Sequence, residues 1–142
     1  MCVVGPSGSG KSSFCDALAQ TYRHHGKAVR LVNMDPGNEQ PLYACDADVA
    51  ELVRVGEVER ELQLGPNAAL LHAFSFVTEN AEWLLGQVRA GPDCCFILDF
   101  PGQIEIFSNT RAAPQLLQRL AREADLLVVQ LYDSHFCSLR SL

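Results

Sequence analysis

The residues best suited to chemistry lie near the start of the chain, where residues 5–12 read Gly-Pro-Ser-Gly-Ser-Gly-Lys-Ser. The glycines let backbone N–H groups turn inward, where they can surround a phosphate group. Lys11 adds a cation for the β and γ phosphates of a nucleotide, and Ser12 adds a hydroxyl ligand for Mg²⁺. This segment therefore predicts a phosphate-binding loop of the P-loop type.

A second motif begins at Asp99, which ends an apolar run and is followed by Phe-Pro-Gly-Gln. Beside a phosphate loop, a carboxylate at this place holds Mg²⁺, the Gly102 N–H contacts the γ-phosphate, and Gln103 orients the attacking water. Glu105 follows two residues later and either positions water or is a solvated loop residue. Asp35, after another apolar run, either acts on water or forms an Asp-Pro turn.

These residues need a scaffold that gathers strand ends, and the hydrophobic pattern provides one. Short apolar runs alternate with helical periodicity, which predicts an α/β fold, a three-layer P-loop NTPase with a mainly parallel sheet that stops after about four strands. Gly5, Asp35, Asp99 and Asp133 all follow predicted strands, and ligands bind at the carboxyl ends of parallel strands. The predicted strands are 1–4, 28–33, 94–99 and 126–131, and the predicted helices are 11–25, 47–62, 68–88 and 111–123.

We expect one domain over residues 1–142, with a helical insertion at about 46–90 that carries a Gly-Pro-Asn tripeptide. Taken alone, this tripeptide indicates only a turn between two helices. Two alanines, at positions 68 and 69, follow it directly and favour helix over loop.

Composition and charge limit the classes of partner. A net charge of −6, with Lys11 and Lys27 as the only lysines, argues against a nucleic-acid surface. No apolar run has the length of a membrane span, and no signal-peptide pattern is present, so we expect no membrane insertion. The six cysteines form no C-x-x-C pair, which predicts reduced, mostly buried thiols in an intracellular protein rather than a zinc site.

In this order, the motifs resemble those of the GPN-loop GTPases, a family named after the Gly-Pro-Asn tripeptide. The matching segments are the phosphate loop, residues 33–39 (Asn-Met-Asp-Pro-Gly-Asn-Glu), the tripeptide and residues 99–105 (Asp-Phe-Pro-Gly-Gln-Ile-Glu). Residues 48–53 and 132–137 look most like one paralogous branch of the family. The resemblance covers essentially the whole chain but only the front half of a typical member, so we expect a short isoform or a fragment.

The resemblance implies a dimeric enzyme that hydrolyses GTP with Mg²⁺. The loop of Gly65, Pro66 and Asn67 would reach into the partner's active site, where the Asn67 amide would contact the γ-phosphate or the phosphate product. The catalytic polar cluster would comprise Asp35, Asp99, Gln103 and Glu105, with Ser12 and Asp99 at the metal. The implied nucleotide-binding residues are Gly5, Pro6, Ser7, Gly8, Ser9, Gly10, Lys11, Ser12, Ser13 and Gly102.

The resemblance also implies partners and a location. The chain would form a homodimer, or a heterodimer with GPN-loop paralogues, and would take part in the assembly and nuclear delivery of RNA polymerase II. It would be cytoplasmic and would shuttle to the nucleus. Guanine recognition in such folds uses an [NT]-K-x-D motif, and no lysine follows Lys27, so the choice between guanine and adenine stays open.

Two other functions fit parts of the sequence. A P-loop kinase of small molecules or nucleotides would suit the phosphate loop, but the motif at Asp99 orders water rather than an acceptor hydroxyl. A kinase lid also needs clustered arginines, whereas Arg119 and Arg122 fit the solvated face of a helix. The second alternative is a non-catalytic assembly module, a truncated subunit that pairs with a full-length paralogue.

Overall fold

Five short strands form one parallel sheet in the computed structural model, which describes residues 1–132. The strands are β1 (Cys2–Val4), β2 (Val29–Asn33), β3 (Ala47–Asp48), β4 (Cys95–Asp99) and β5 (Val128–Gln130). They lie in the order β3-β2-β4-β1-β5, and every neighbouring pair is parallel. The predicted parallel α/β fold is therefore confirmed.

Helices cover both faces of this sheet. One face packs against α1 through Cys15 and Ala19, and the other face packs against α3, α4 and α6, which gives the three predicted layers. The helices are α1 (Lys11–His24), α2 (Val55–Leu62), α3 (Pro66–Glu79), α4 (Glu82–Ala90), α5 (Glu105–Ser108) and α6 (Ala112–Glu123), with a short 3₁₀ helix at Val49–Glu51.

The register of the strands places three of their carboxyl ends at one level. Val3 of β1 and Asn33 of β2 both lie opposite Asp99 of β4. The residues at the ends of these strands, or shortly after them, therefore meet at one edge of the sheet, as expected for Gly5, Asp35 and Asp99. The fourth residue expected there, Asp133, lies outside the described residues.

The helix predicted over residues 47–62 is wrong in its first half. Ala47 and Asp48 instead pair with Val32 and Asn33 as a fifth, unpredicted strand. The Asp48 carboxylate then accepts a hydrogen bond from the Ala50 N–H at 2.9 Å and starts the 3₁₀ helix. Strand pairing and this cap override helix propensity, and the helical part of the predicted insertion begins only at Val49–Glu51.

The single helix predicted over residues 68–88 is two helices. The chain turns at Asn80, whose side-chain amide donates to the Phe76 carbonyl oxygen at 2.9 Å and so terminates α3. The helix preference expected for the two alanines after the tripeptide agrees with the structure, where both lie in the first turns of α3, which begins at Pro66. Proline suits a first helical position, since its missing N–H has no partner there in any case.

The thiols of Cys2 and Cys15 are buried, and those of Cys45, Cys94 and Cys95 are half-buried and unpaired. Cys137 lies outside the described residues. Among the helices of residues 1–132, none combines the length and the apolar character that crossing a membrane requires.

Candidate nucleotide site

A cleft of about 320 Å³ opens at the carboxyl ends of β1, β2 and β4. Its walls come from the phosphate loop, the first turn of α1, the segment after β2 and the loop after β4. The lining residues are Ser7, Gly8, Gly10, Lys11, Ser12, Ser13, Asp35, Asn38, Asp99, Phe100, Gly102 and Gln103.

Two glycines give the phosphate loop its turn. Gly8 has a φ of 77° and Gly10 a φ of 84°, in the left-handed region that other residues rarely adopt. Gly10 leads into α1, whose first turn has no acidic residue and, in the described part of the chain, no side-chain cap. The first N–H groups of α1 and the positive end of its dipole are therefore available to an anion.

Two further glycines permit close contact between loops. A Cβ on Gly102 would lie 2.7 Å from the Ser7 Cα and 2.8 Å from the Ser7 nitrogen. A Cβ on Gly5 would lie 2.4 Å from the Leu131 carbonyl oxygen. Real Cβ atoms do not approach other atoms so closely, so both positions require glycine. The loop after β4 thus rests directly on the phosphate loop.

Lys11 lies inside the phosphate loop. Its side chain is buried, and its Nζ donates a hydrogen bond to the Pro6 carbonyl oxygen at 2.9 Å. The bond spans the loop and keeps the ammonium group at the cleft wall. Ser12 and Ser13 follow it in the first turn of α1 and line the same cleft.

Asp99 is almost completely buried and has one oxygen available. Its Oδ2 accepts a hydrogen bond from the Tyr43 hydroxyl at 2.9 Å. Its Oδ1 is buried and has no hydrogen-bond partner among the described residues, and the same is true of Ser9 Oγ and Gln103 Oε1. Buried polar atoms without partners are rare and often mark the place of an ion or ligand.

These donors fit Mg²⁺ bound together with phosphate. Mg²⁺ prefers oxygen ligands and usually takes one or two carboxylates plus phosphate oxygens and water. Asp99 and Ser12 both line the cleft and carry oxygen atoms of this kind, and Asp99 Oδ1 has no hydrogen-bond partner among the described residues. Residues 1–132 contain no group of three or more His, Cys, Asp or Glu that could hold a metal, so phosphate oxygens and water would supply the remaining ligands.

Asp35 is half-buried and lines the same cleft. Burial raises the pKa of its carboxyl group above the ordinary value, and the nearby Asp99 adds to the rise. The Gly37 N–H, which donates to Asp35 Oδ1 at 2.9 Å, and the Lys11 cation act in the opposite direction. A carboxylate with a raised pKa is a better proton acceptor, which suits a role next to attacking water.

Asn33 holds the Asp35 segment in shape, a role that the sequence patterns did not single out. It is fully buried, and its side-chain amide donates to the Asn38 carbonyl oxygen and to Asp48 Oδ1, each at 2.9 Å. Its Oδ1 accepts the Asp35 N–H at 3.2 Å. The available signal was a polar residue at the end of an apolar strand, where burial requires hydrogen-bond partners.

The structure brings together only some of the expected catalytic residues. Asp35, Asp99 and Gln103 line one cleft. Glu105 starts α5, half-buried and outside the lining, and Asn67 is exposed at the second position of α3, also outside it. Within residues 1–132, therefore, the tripeptide does not take part in the cleft of its own chain.

Comparisons with known proteins agree with this geometry. A family model described as "Conserved hypothetical ATP binding protein" matches residues 3–141. GPN-loop GTPase 2 from Danio rerio is 36% identical over 96% of this chain, and the protein of that name from Xenopus tropicalis is 39% identical over 96%. GPN-loop GTPase QQT1 from Arabidopsis thaliana is 35% identical over 95%. The resemblance to the GPN-loop GTPases is thus confirmed.

A solved structure is similar as well. The crystal structure of a GTPase in apo form from Pyrococcus abyssi matches 98% of this chain with a TM-score of 0.79 and 28% sequence identity. The chain covers 58% of that structure and 44% to 46% of the three curated relatives, so it spans about half the length of the proteins that it matches.

The phosphate loop, the buried Asp99 and the match over residues 3–141 lead to one conclusion. The chain belongs to the family described as conserved hypothetical ATP-binding proteins, and its curated relatives within that family are GPN-loop GTPases.

Proposed function

We propose that this chain binds GTP together with Mg²⁺ in the cleft and hydrolyses it. The observation that carries the proposal is the set of three buried oxygen atoms without partners, on Ser9, Asp99 and Gln103, around a loop that holds Lys11. A bound nucleotide, its metal ion and a water molecule would supply the missing partners. The names of the relatives and of the structural neighbour, all GTPases, support this reading.

Five residues that line the cleft would have separate roles in this reaction. Lys11 exchanges the Pro6 carbonyl oxygen for phosphate oxygens, while the first N–H groups of α1 hold the same phosphates. Ser12 and Asp99 would hold Mg²⁺, which neutralises charge on the phosphates. The Gln103 amide orients the attacking water, and Asp35 accepts its proton.

We also propose that hydrolysis is completed by a second chain. Asn67 is exposed at the start of α3 and lies outside the cleft, so a contact with phosphate would have to come from a neighbouring molecule. The partner would be a second copy or a GPN-loop paralogue, with RNA polymerase II assembly as the client process and the cytoplasm, with shuttling to the nucleus, as the location. This part rests on the family resemblance together with the exposure of the tripeptide.

Guanine is proposed as the base, although the family description names ATP. The described cleft surrounds the phosphates, and its lining residues include no base-reading motif. The proposal for guanine therefore rests on relatives that are named GTPases. Direct competition between GTP and ATP decides between the two.

A non-catalytic assembly role is the second candidate, and one observation favours it. The strand β5 pairs only with β1 among the described strands, and Leu127 and Val128 beside its free edge are 56% and 46% exposed. An apolar strand edge of this kind favours association with another chain. Partner binding without turnover would support this role over the enzymatic one.

The test is a titration of the purified chain with fluorescent GTP and ATP analogues in the presence of Mg²⁺. We expect Lys11→Ala to weaken GTP binding roughly tenfold to a hundredfold, as the loss of charge-assisted bonds to phosphate predicts. Lys27→Ala is the matched control, because it removes the other lysine at an exposed position far from the cleft lining. Equal affinity of wild type and Lys11→Ala would contradict the proposal.

A further inference from the structure

Tyr43 is the one buried residue of the irregular segment 38–46. Residues 38–46, between β2 and β3, contain no helix or strand, and Leu42 beside it is fully exposed. Tyr43 is only 8% exposed, and its ring packs with Cys15, Ala19 and Leu31 between α1 and the sheet. Hydrophobic burial alone would be satisfied by phenylalanine at this position.

The hydroxyl group of Tyr43 has a specific partner. It donates a hydrogen bond to Asp99 Oδ2 at 2.9 Å, across 56 residues of sequence. Among residues 1–132, the Cys15 thiol also lies beside the Asp99 carboxylate, whose Oδ1 has no hydrogen-bond partner of ordinary geometry. A tyrosine hydroxyl is protonated at neutral pH, so Tyr43 can donate the hydrogen bond to Asp99 Oδ2.

Fixing one oxygen of a carboxylate orients the other. A buried carboxylate can rotate about its Cβ–Cγ bond unless a neighbour holds it, and groups that hold a metal ligand in place commonly contribute tenfold to a hundredfold in metal affinity. Because Tyr43 is fixed by packing against α1 and the sheet, the Asp99 carboxylate it holds is fixed as well. This leaves Oδ1 as the Asp99 oxygen without a hydrogen-bond partner among the described residues, on a side chain that lines the cleft.

We propose that Tyr43 is a positioning residue, which orients the Asp99 carboxylate so that Oδ1 serves Mg²⁺ in the nucleotide complex. The inference rests on the proposed function and adds to it a residue that neither the phosphate loop nor the motif at Asp99 contains. Tyr43 acts only through Asp99 and does not line the phosphate cleft. Removal of the Tyr43 hydroxyl should therefore lower the affinity for Mg²⁺ and leave the metal-free affinity for the nucleotide unchanged.

The experiment compares Tyr43→Phe with wild type and with Tyr22→Phe. Tyr22 packs against the same apolar cluster and its hydroxyl has no hydrogen bond among residues 1–132, so it controls for the loss of a tyrosine hydroxyl. Binding of a fluorescent GTP analogue is measured first in EDTA and then over a series of Mg²⁺ concentrations. Melting of the free protein and the dependence of kcat on Mg²⁺ are recorded for each variant.

We expect Tyr43→Phe to bind the analogue in EDTA as wild type does, and to need about tenfold more Mg²⁺ for half-saturation. Saturating Mg²⁺ should restore both affinity and kcat, and Tyr22→Phe should match wild type. In a chain that also carries Asp99→Asn, the Tyr43→Phe change should add nothing to the Mg²⁺ requirement. This double-mutant cycle isolates the contact between the two side chains.

Two outcomes overturn the inference while leaving the proposed function in place. One is an unchanged Mg²⁺ requirement for Tyr43→Phe. The other is a proportional loss of affinity in EDTA and in Mg²⁺ with a lower melting temperature, which would mean that Tyr43 supports the fold only. A wild-type chain that binds no nucleotide in either condition would overturn the proposed function, and the inference with it.

Discussion

The phosphate cleft and the α2–α3 hairpin, which comprises residues 55–79, differ in how firmly their functional groups are held. The cleft sits on the central strands, and its polar groups are tied together by Asn33, Tyr43 and the close contact of Gly102 with Ser7. The hairpin has its own small apolar cluster, and its tip at residues 62–68 is mostly exposed. The buried residues of that cluster are Val55, Val58, Ala69, Leu70 and Ala73.

Under the proposed function, this difference would separate what the chain does alone from what it would do with a second chain. Groups that must keep a fixed geometry around phosphate are buried and cross-linked by hydrogen bonds. The tripeptide, by contrast, is displayed at a helix start where no atom lies within 4 Å of a Cβ built on Gly65. Three predictions test this separation.

The largest effect is expected for Gly102→Ala. The new methyl group would sit 2.7 to 2.8 Å from the Ser7 backbone, so the phosphate loop must shift. A misplacement of about 1 Å can lower a rate about a hundredfold, and we expect that loss in GTP turnover. The matched control is Gly65→Ala at φ −72°, which should leave the nucleotide affinity of the isolated chain unchanged because Gly65 lies outside the cleft. Equal effects of the two substitutions would remove the proposed contrast.

A smaller effect is expected for Asn67→Ala, and only in a dimer. The isolated chain should bind GTP with unchanged affinity, because Asn67 lies outside the cleft. GTP turnover in the presence of a full-length paralogue should fall about tenfold, because the variant lacks the hydrogen bond that the Asn67 amide would make to a charged phosphate. Turnover assays with and without the paralogue measure this, and Gln118→Ala, an exposed amide on α6, is the control. Weaker GTP binding by the isolated variant would place Asn67 at its own cleft.

The smallest effect concerns stability and follows from Asp35. Its pKa in the folded protein is raised above the ordinary value of 3.8, so the folded state holds this proton more tightly than the unfolded state. Folding stability is then lost as pH rises from 3.8 through the raised folded pKa. Asp35→Asn should therefore raise the melting temperature by a few degrees at pH 7 and have less effect at acidic pH.

Thermal unfolding at several pH values checks this expectation, with the exposed Asp93→Asn as control. GTP turnover by Asp35→Asn should fall although the protein is more stable, the trade-off expected where a site keeps a costly buried charge. A variant less stable than wild type at pH 7 would show that the Asp35 carboxylate stabilises the fold.

Much of this contrast could be predicted from sequence, because both regions depend on local patterns. The phosphate loop requires glycines beside Lys11, and the apolar runs before Asp35 and Asp99 identify strands whose ends converge. Lys11, Asp35 and Asp99 are far apart in sequence, but they line the same cleft because the parallel strands before them end at the same edge of the sheet. The start of α3 at Pro66 also follows from local chemistry.

The remaining features depend on contacts that sequence does not display. Ala47 and Asp48 form a strand only because β2 offers an unpaired edge, and Tyr43 meets Asp99 only because an irregular segment folds back over α1. Glu105 was expected in the catalytic cluster, and its position on the short α5 outside the cleft depends on the turn before that helix. Such long-range contacts override local preference.

The bond between Lys11 and the Pro6 carbonyl has a consequence for how fast a nucleotide can bind. An ammonium group in bulk water must lose hydration before it contacts phosphate. In this loop Lys11 is only 7% exposed, and its ammonium group already contacts the Pro6 carbonyl oxygen. Under the proposed function, a phosphate would replace this neutral oxygen partner with a charged one, so folding has already removed part of the water that binding would otherwise have to displace.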